Sequence, residues 1–330
     1  MGILARWLSE MKPLPGSSFG GLTMLPLTGG EADAPPYLTL DEALSSGKAR
    51  VTEVSARGSV PELRFANLCD QPILLIDGEE LIGAKQNRVL NVTILVPPKT
   101  ELVIPVSCVE AGRWAGAGEF RSAPQVMYAT GRAEKLRSVG VSMATAGTRR
   151  SDQAAVWRSI DSLAALQGVK SATSRLDDVY VARGDRIGKY VEELRASDGQ
   201  LGAMFALGGK IRGIEAFDHP ATLRKVLPKL VRSWAMDALS VEREGDAPQV
   251  AEVERRLGEL AALSLSEHPA VGLGREVRFE SARVTGGALL HEGRVVHLCA
   301  FWVEEQRADD APQGFIGRML SASRRARARS

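Results

Sequence analysis

The sequence is poor in the residues that build metal centres and disulfide frameworks. It has four histidines and three cysteines in 330 residues, and Cys69, Cys108 and Cys299 form no CxxC pair. Neither a zinc knuckle nor a disulfide scaffold is expected, and a reducing cytoplasm is the expected location. No apolar run approaches the ~20 residues of a membrane-spanning helix, so no span is expected. The apolar run in the opening MGILARWLSEMK is too short for a secretory signal and lacks a small-residue cleavage site, and Arg6 breaks the myristoylation pattern. Complete nucleotide motifs are also missing. Lys210 follows two glycines without the rest of the Walker pattern, and GLGRE at Gly272 and GAGEF at Gly116 lack the third glycine of a dinucleotide fingerprint. GSSFG at Gly16 matches the nucleophile-elbow string, but no apolar strand precedes it. His291 and His297 stand too far apart to share one helical face around zinc, and no metal site is expected.

What is present is an ordinary globular composition, 44% hydrophobic and 25% charged, sufficient for a sizeable core. The formal charge of +2 is uneven, because the last thirteen residues, RMLSASRRARARS, carry five arginines and leave the rest near −3. Residues 310–330 read as a disordered solubilising tail, with weak nucleic-acid or anionic-surface contact as the alternative. Residues 1–20 read as a flexible lead-in and 21–309 as one domain.

Within that domain, 21–125 reads as β-rich. RVTEVS, VPELRFAN, QPILLID, RVLNVTILV and TELVIPVS are short β-branched runs cut by Gly, Pro, Asn and Asp. Thr39 three residues before Glu42 predicts a capping box. Residues 121–150 read as a polar loop region. Helices dominate afterwards, with Val156, Ile160 and Leu163 on one face of the first. Residues 177–194 read as one helix weakened by two glycines. In the next, Asp218 is the expected cap and Pro228 the expected kink. The fold class is therefore α+β: a sandwich-like, mainly antiparallel β-rich half packed with a helix-rich half, 126–309, that contains further hairpins. ILLIDGEELIGAKQ, AMFALGGKIRGIEA and GRVVHLCAF share an apolar–glycine–apolar plan, for which the general likeness of glycine-turn hairpins is the favoured explanation and an ancient duplication the alternative.

Two blocks carry candidate chemistry. The first is Glu79, Glu80, Lys85, Gln86, Asn87 and Arg88, directly after an apolar strand. In extended chain Lys85 and Asn87 share one face, and Gln86 and Arg88 the other. Arg88 could grip a phosphate bidentately, and Glu80 could act as a general base. The second is VSCVEAGRW, with Cys108, Glu110, Arg113 and Trp114. Arginine beside tryptophan suits a nucleotide, the guanidinium on phosphate and the indole on the base. Cys108 reads as a small core residue, since no histidine lies near it in sequence to activate it. Glu215 and Asp218 are lesser candidates, and Asp77, Glu79 and Glu80 could together hold a hard cation. The competing explanation for the first block is a solvated hairpin with locally paired charges, and Trp114 of the second reads equally as a core residue.

The blocks LIDGEELIGAKQNR, IPVSCVEAGRW, GGKIRGIEAFD and LPKLVRSWAMDA together resemble the ARG and rhodanese-phosphatase-superfamily-associated protein family, where ARG denotes ADP-ribosylglycohydrolase. The resemblance runs from about Leu25 to about Trp302. It implies association, through genomic context, with enzymes of NAD and ADP-ribose metabolism, and gives candidate status to Gly78, Glu79, Glu80, Gly83, Lys85, Gln86, Asn87, Arg88, Cys108, Glu110, Arg113 and Trp114. Two functions follow as expectations. In one, a small NAD-derived or ADP-ribose-like metabolite is bound or hydrolysed, with Glu80 and Glu110 catalytic and the cofactor unknown. In the other, the protein is a non-enzymatic scaffold working through a partner.

Overall fold

In a computed structural model, residues 2–29, 35–116 and 118–303 are described. The arginine-rich tail lies outside them. Helix α1 (Ile3–Glu10) and the short strands β1 (Lys12–Pro13) and β2 (Ser17–Phe19) lead into β3 (Leu22–Thr28); β4 (Leu38–Thr39) then runs into α2 (Leu40–Ser45). A run of strands follows: β5 (Ala49–Glu53), β6 (Glu62–Asn67), β7 (Ile73–Leu75), β8 (Glu79–Gly83), β9 (Arg88–Leu90), β10 (Ile94–Val96), β11 (Glu101–Cys108) and β12 (Phe120–Val126). Next come α3 (Ala129–Ala146), α4 (Gln153–Leu166), α5 (Leu176–Ala182) and α6 (Gly184–Glu193). The hairpin β13 (Gln200–Leu207)–β14 (Lys210–Phe217) precedes α7 (Pro220–Ala238) and α8 (Val250–Ala261), and β15 (Ser266–Pro269), β16 (Arg275–Glu280), β17 (Val284–His291) and β18 (Arg294–Trp302) close the described chain.

The strands make a nine-stranded sheet in the order β1-β3-β13-β14-β18-β17-β16-β15 with β2 on β3, a six-stranded sheet β12-β8-β9-β11-β6-β5, and a three-stranded sheet β10-β7-β4. Pairing is antiparallel except between β4 and β7, so the mixed α+β class with antiparallel sheets holds. The division into a β-rich and a helix-rich half does not describe the layering. The largest sheet joins β1–β3 from the start of the chain to β13–β18 from its end. The cause is legible in β3 and β13, whose residues are buried almost without break. Such strands need cover on both faces. One face packs against α3 and α7, where Leu136, Leu223, Leu230 and Trp234 meet Phe205, Phe217 and Phe301. The other packs against α1 and α8, where Leu4, Leu8, Val253 and Leu257 meet Leu25, Met204 and Leu298. A further cluster fills the smaller sheets beneath α2.

Several expectations need correcting. Residues 1–20 are built into the fold, because α1 buries Leu4 and Leu8 and β1 and β2 both pair with β3. The supposed loop at 121–150 is β12 followed by α3. Its periodicity was masked because the buried side of α3 carries Gly131, Arg132 and Lys135 alongside Leu136 and Val139. Residues 177–194 are divided between α5 and α6 at Arg183. α7 runs through Pro228 as one helix, and His219, not Asp218, stands at its N-cap with Pro220 in the first turn. The ILLIDGEELIG segment is no hairpin, since β7 and β8 join different sheets. The β13–β14 turn, by contrast, has Gly208 and Gly209 both at positive φ, 55° and 77°, as a tight two-residue hairpin requires. The Thr39–Glu42 capping box is present.

Candidate functional site

The DGEE run at 77–80 is the organising feature of the interior. All three acids are buried, and strand alternation with the turn at Gly78 sends each to a different partner set. They therefore do not form the hard-cation cluster considered above. Among the described residues, no group of three or more His, Cys, Asp or Glu is placed to hold a metal ion.

Asp77 turns toward α3. Its carboxylate pairs with Lys135 and, at 3.3 Å, with Nε of Arg132. Burial raises the Asp77 pKa, but Lys135 and Arg132 outweigh it and hold the group below the ordinary carboxylate value. Arg132 continues to Glu215 on β14 at 2.5 Å. Gly78 makes the approach possible: a Cβ there would lie 2.6 Å from Arg132 Nε. Glu79 faces the other way and accepts from Lys229 of α7 at 2.9 Å, and Lys229 also reaches Asp41 and Ser122. Burial opposes the charge on Lys229, but Glu79 and Asp41 prevail and raise its pKa.

Glu80 belongs to a third set, and here the sequence candidates converge. Gln125 donates to its Oε2 at 2.9 Å and Asn87 to its Oε1 at 3.5 Å. Both hydrogen-bond partners are amides, and among the described residues no ion pair reaches it. Burial, with Asp177 adding to it, raises the pKa of Glu80 to about 8 against the opposing hydrogen bonds. The carboxyl is therefore protonated at neutral pH.

Asn87 links Glu80 to the second block. Its backbone N–H donates to Glu110 Oε2 at 3.1 Å, and its Oδ1 accepts from Arg113 at 3.4 Å. Arg113 grips Glu110 through Nε at 2.9 Å and Nη2 at 2.7 Å, and its Nη1 donates to the carbonyls of Ala84 and Ala115. All five guanidinium donors are thus engaged. Arg113 is a clasp between the turn at 84–87 and the loop at 111–116, and it has no donor left for a phosphate. Glu110 is likewise committed. Burial pushes its pKa up, but the bonds from Arg113, Asn87 and Thr173 bring it below the usual value. It serves as an ionised anchor, not a proton donor.

Arg88 is different. It is 0% exposed, on β9 between Leu81 of β8 and Cys108 of β11. Its Nη1 donates to Gln86 Oε1 at 3.1 Å and to the Asn87 carbonyl at 3.3 Å. Its Nε and Nη2 are buried and have no hydrogen-bond partner. Burial lowers its pKa, yet a guanidinium stays charged. Unsatisfied buried donors on a charged group are rare and costly. Over Arg88 lies Trp114, with 5.6 Å from guanidinium carbon to ring centroid, and Lys85 Nζ approaches the same ring at 5.9 Å. Trp114 is 46% exposed. Lys85 reaches this side, away from Asn87, because 84–87 is a turn with Ala84 at φ 40°, and the alternation of an extended chain does not apply. Cys108 is buried, its thiol donates to Gln86 and to the Glu110 carbonyl, and burial pushes its pKa up. It is a core residue.

Arg132, Lys135, Lys229, Thr93 and His297 are polar groups of this interior that were not among the sequence candidates. Their segments read as loop, amphipathic helix or strand. The signal was compositional: a helix face with cationic residues in apolar positions.

A family model described as "ARG and Rhodanese-Phosphatase-superfamily-associated Protein domain" matches residues 10–301. No curated protein and no solved structure matches the chain. Among the described residues, no helix is long and apolar enough to cross a membrane.

Proposed function

The chain belongs to the ARG and rhodanese-phosphatase-superfamily-associated protein family, and from that premise we propose that it binds an NAD-derived or ADP-ribose-like metabolite at the Arg88–Trp114 corner. The observation that carries this reading is the pair of unpartnered donors, Nε and Nη2, on a fully buried Arg88 beneath an exposed indole. A phosphate oxygen pair matches that edge of a guanidinium. The ligand enters as the Trp114 ring lifts from Arg88; the indole then stacks on the base and Lys85 adds a second positive charge. Glu80, neutral at pH 7, is the group able to donate a proton at a ribosyl bond. Arg113 and Glu110 hold the loop that presents Trp114.

The reading is tested by a thermal-shift screen with ADP-ribose, NAD and nicotinamide. A ligand at 100 times its Kd adds ~2.7 kcal/mol to stability. We expect stabilisation by ADP-ribose in the wild type that Arg88→Gln abolishes. No shift at millimolar concentration with any of the three would exclude this reading.

A further inference from the structure

Glu215, His297 and Thr93 come from three distant segments and meet in one line. β14 and β18 pair so that Glu215 opposes Cys299 and Phe217 opposes His297. The Glu215 and His297 side chains are therefore diagonal neighbours on one sheet face. His297 Nε2 stands 3.2 Å from Glu215 Oε2, and its Nδ1 stands 2.7 Å from the Thr93 hydroxyl oxygen. The ring is fixed further by stacking on Phe217 at 4.6 Å. With Glu215 a carboxylate salt-bridged to Arg132, the ring donates from Nε2 to Glu215, which leaves Nδ1 to accept the Thr93 proton. The backbone N–H of Asp77 donates to the same hydroxyl oxygen at 3.1 Å, where it stabilises negative charge as the proton leaves.

Thr93 is half-buried, whereas His297 and Glu215 are 1% and 0% exposed. The hydroxyl is thus the end of the line nearest solvent. It borders a cavity of ≈ 20 Å³ whose lining also includes Asp77, Glu276, Arg278, Leu289 and Cys299. That is room for one water-sized group, such as the carbonyl oxygen of an ester whose other atoms stay outside it. Arg278 is 8% exposed, and its Nη1 has no hydrogen-bond partner. Two carboxylates, Asp77 and Glu276, share the lining and disfavour a ligand that arrives as an anion. A neutral carbonyl is acceptable there, and a charge that develops only during reaction would meet Arg278. Cys299 is no rival nucleophile, since burial pushes its thiol pKa well up.

We infer that Thr93, His297 and Glu215 form a nucleophile–base–orienter line that transfers a small acyl group from an ester to Thr93 and then to water. Thr93 Oγ attacks the carbonyl carbon while its proton passes to His297 Nδ1. The carbonyl π pair moves to the oxygen beside Arg278. Collapse expels the alcohol, which takes the proton from His297. A water then attacks the acyl-threonine, gives its proton to His297, and releases the carboxylic acid as Thr93 Oγ regains a proton. Glu215 is a positioning residue that fixes the imidazole tautomer. This inference is independent of the Arg88 site.

The test uses p-nitrophenyl acetate with the full chain. We expect a p-nitrophenolate burst and an acetyl group on the peptide containing Thr93. Thr93→Ser should retain both. Thr93→Ala should lose the adduct and lower turnover ~10²–10⁴-fold in the folded fraction, with a lowered melting temperature because His297 and the Asp77 N–H lose their partner. Glu215→Gln should slow acylation and shift its pH profile, an effect a purely structural role would not produce in the folded fraction. Acetylation confined to lysines, absence of a burst, or undiminished turnover in Thr93→Ala would overturn the inference.

Discussion

The guanidinium carbon of Arg88 lies 5.6 Å from the ring centroid of Trp114, so a buried charge with unpartnered donors is covered by a half-exposed indole. β9 places the arginine and the loop clasped by Arg113 places the tryptophan. The arrangement joins the two polar blocks of the sequence at one point, and the ligand-binding reading rests on it.

Trp114→Ala removes the cover without touching the core. Each exposed cation–π contact contributes ~0.5–1 kcal/mol, so chemical denaturation should show a loss of about 1–2 kcal/mol. ADP-ribose affinity should fall with the stacking surface. Loss of folding in this variant would show that the indole is a core element.

Arg113→Lys retains the charge but supplies three donors in place of five. Glu110 then loses its bidentate partner. We expect a stability loss of ~1.5–3 kcal/mol by urea titration, together with protease cleavage in the loop between Ala111 and Gly116. An unchanged urea midpoint would contradict the clasp.

Glu80 gives a pH signature. Burial raises its native pKa to about 8, whereas its unfolded pKa is ~4.3. Below the unfolded value both states are protonated and the contribution is fully present. Between the two values only the native state holds the proton, so stability falls by about 1.4 kcal/mol per pH unit as pH rises. Glu80→Gln should flatten this slope and be relatively more stable at the alkaline end. Urea titrations across that window measure it, and parallel pH profiles for the two proteins would contradict it.

Arg132→Met would take the guanidinium from two buried acids, leaving Asp77 with Lys135 and Glu215 with His297. Removing one partner of such a network costs about 3–5 kcal/mol. Gly78→Ala should act through the same contact, because the position has φ 83° and an added Cβ meets Arg132 at 2.6 Å. Wild-type melting temperatures for both variants would refute the buried network.

Local features were legible in the sequence where neighbours in the chain decide them. The Thr39–Glu42 cap and the Gly208–Gly209 hairpin are of this kind. The meeting of the two polar blocks follows from the pairing of β9 with β11, across a connection that includes β10 of another sheet. α3 was not legible, because Arg132 and Lys135 occupy positions that an amphipathic pattern reserves for apolar side chains. Their charges are acceptable only because Asp77 and Glu215 arrive from β-segments 55 and 83 residues away. The Thr93–His297 contact spans 204 residues, and the Glu215–His297 contact depends on the register of β14 with β18; no local pattern encodes either. The separate fates of Asp77, Glu79 and Glu80 likewise follow from where α3 and α7 dock.

The most direct measurement is a calorimetric titration of ADP-ribose into the wild-type protein and into Arg88→Gln, with Arg113→Gln as the comparison at a fully engaged arginine. The account predicts saturable binding to the wild type, none to Arg88→Gln, and weakened but still saturable binding in the folded fraction of Arg113→Gln, whose loop no longer holds Trp114 in place. Equal heats from the wild type and Arg88→Gln, or no binding by the wild type, would contradict it.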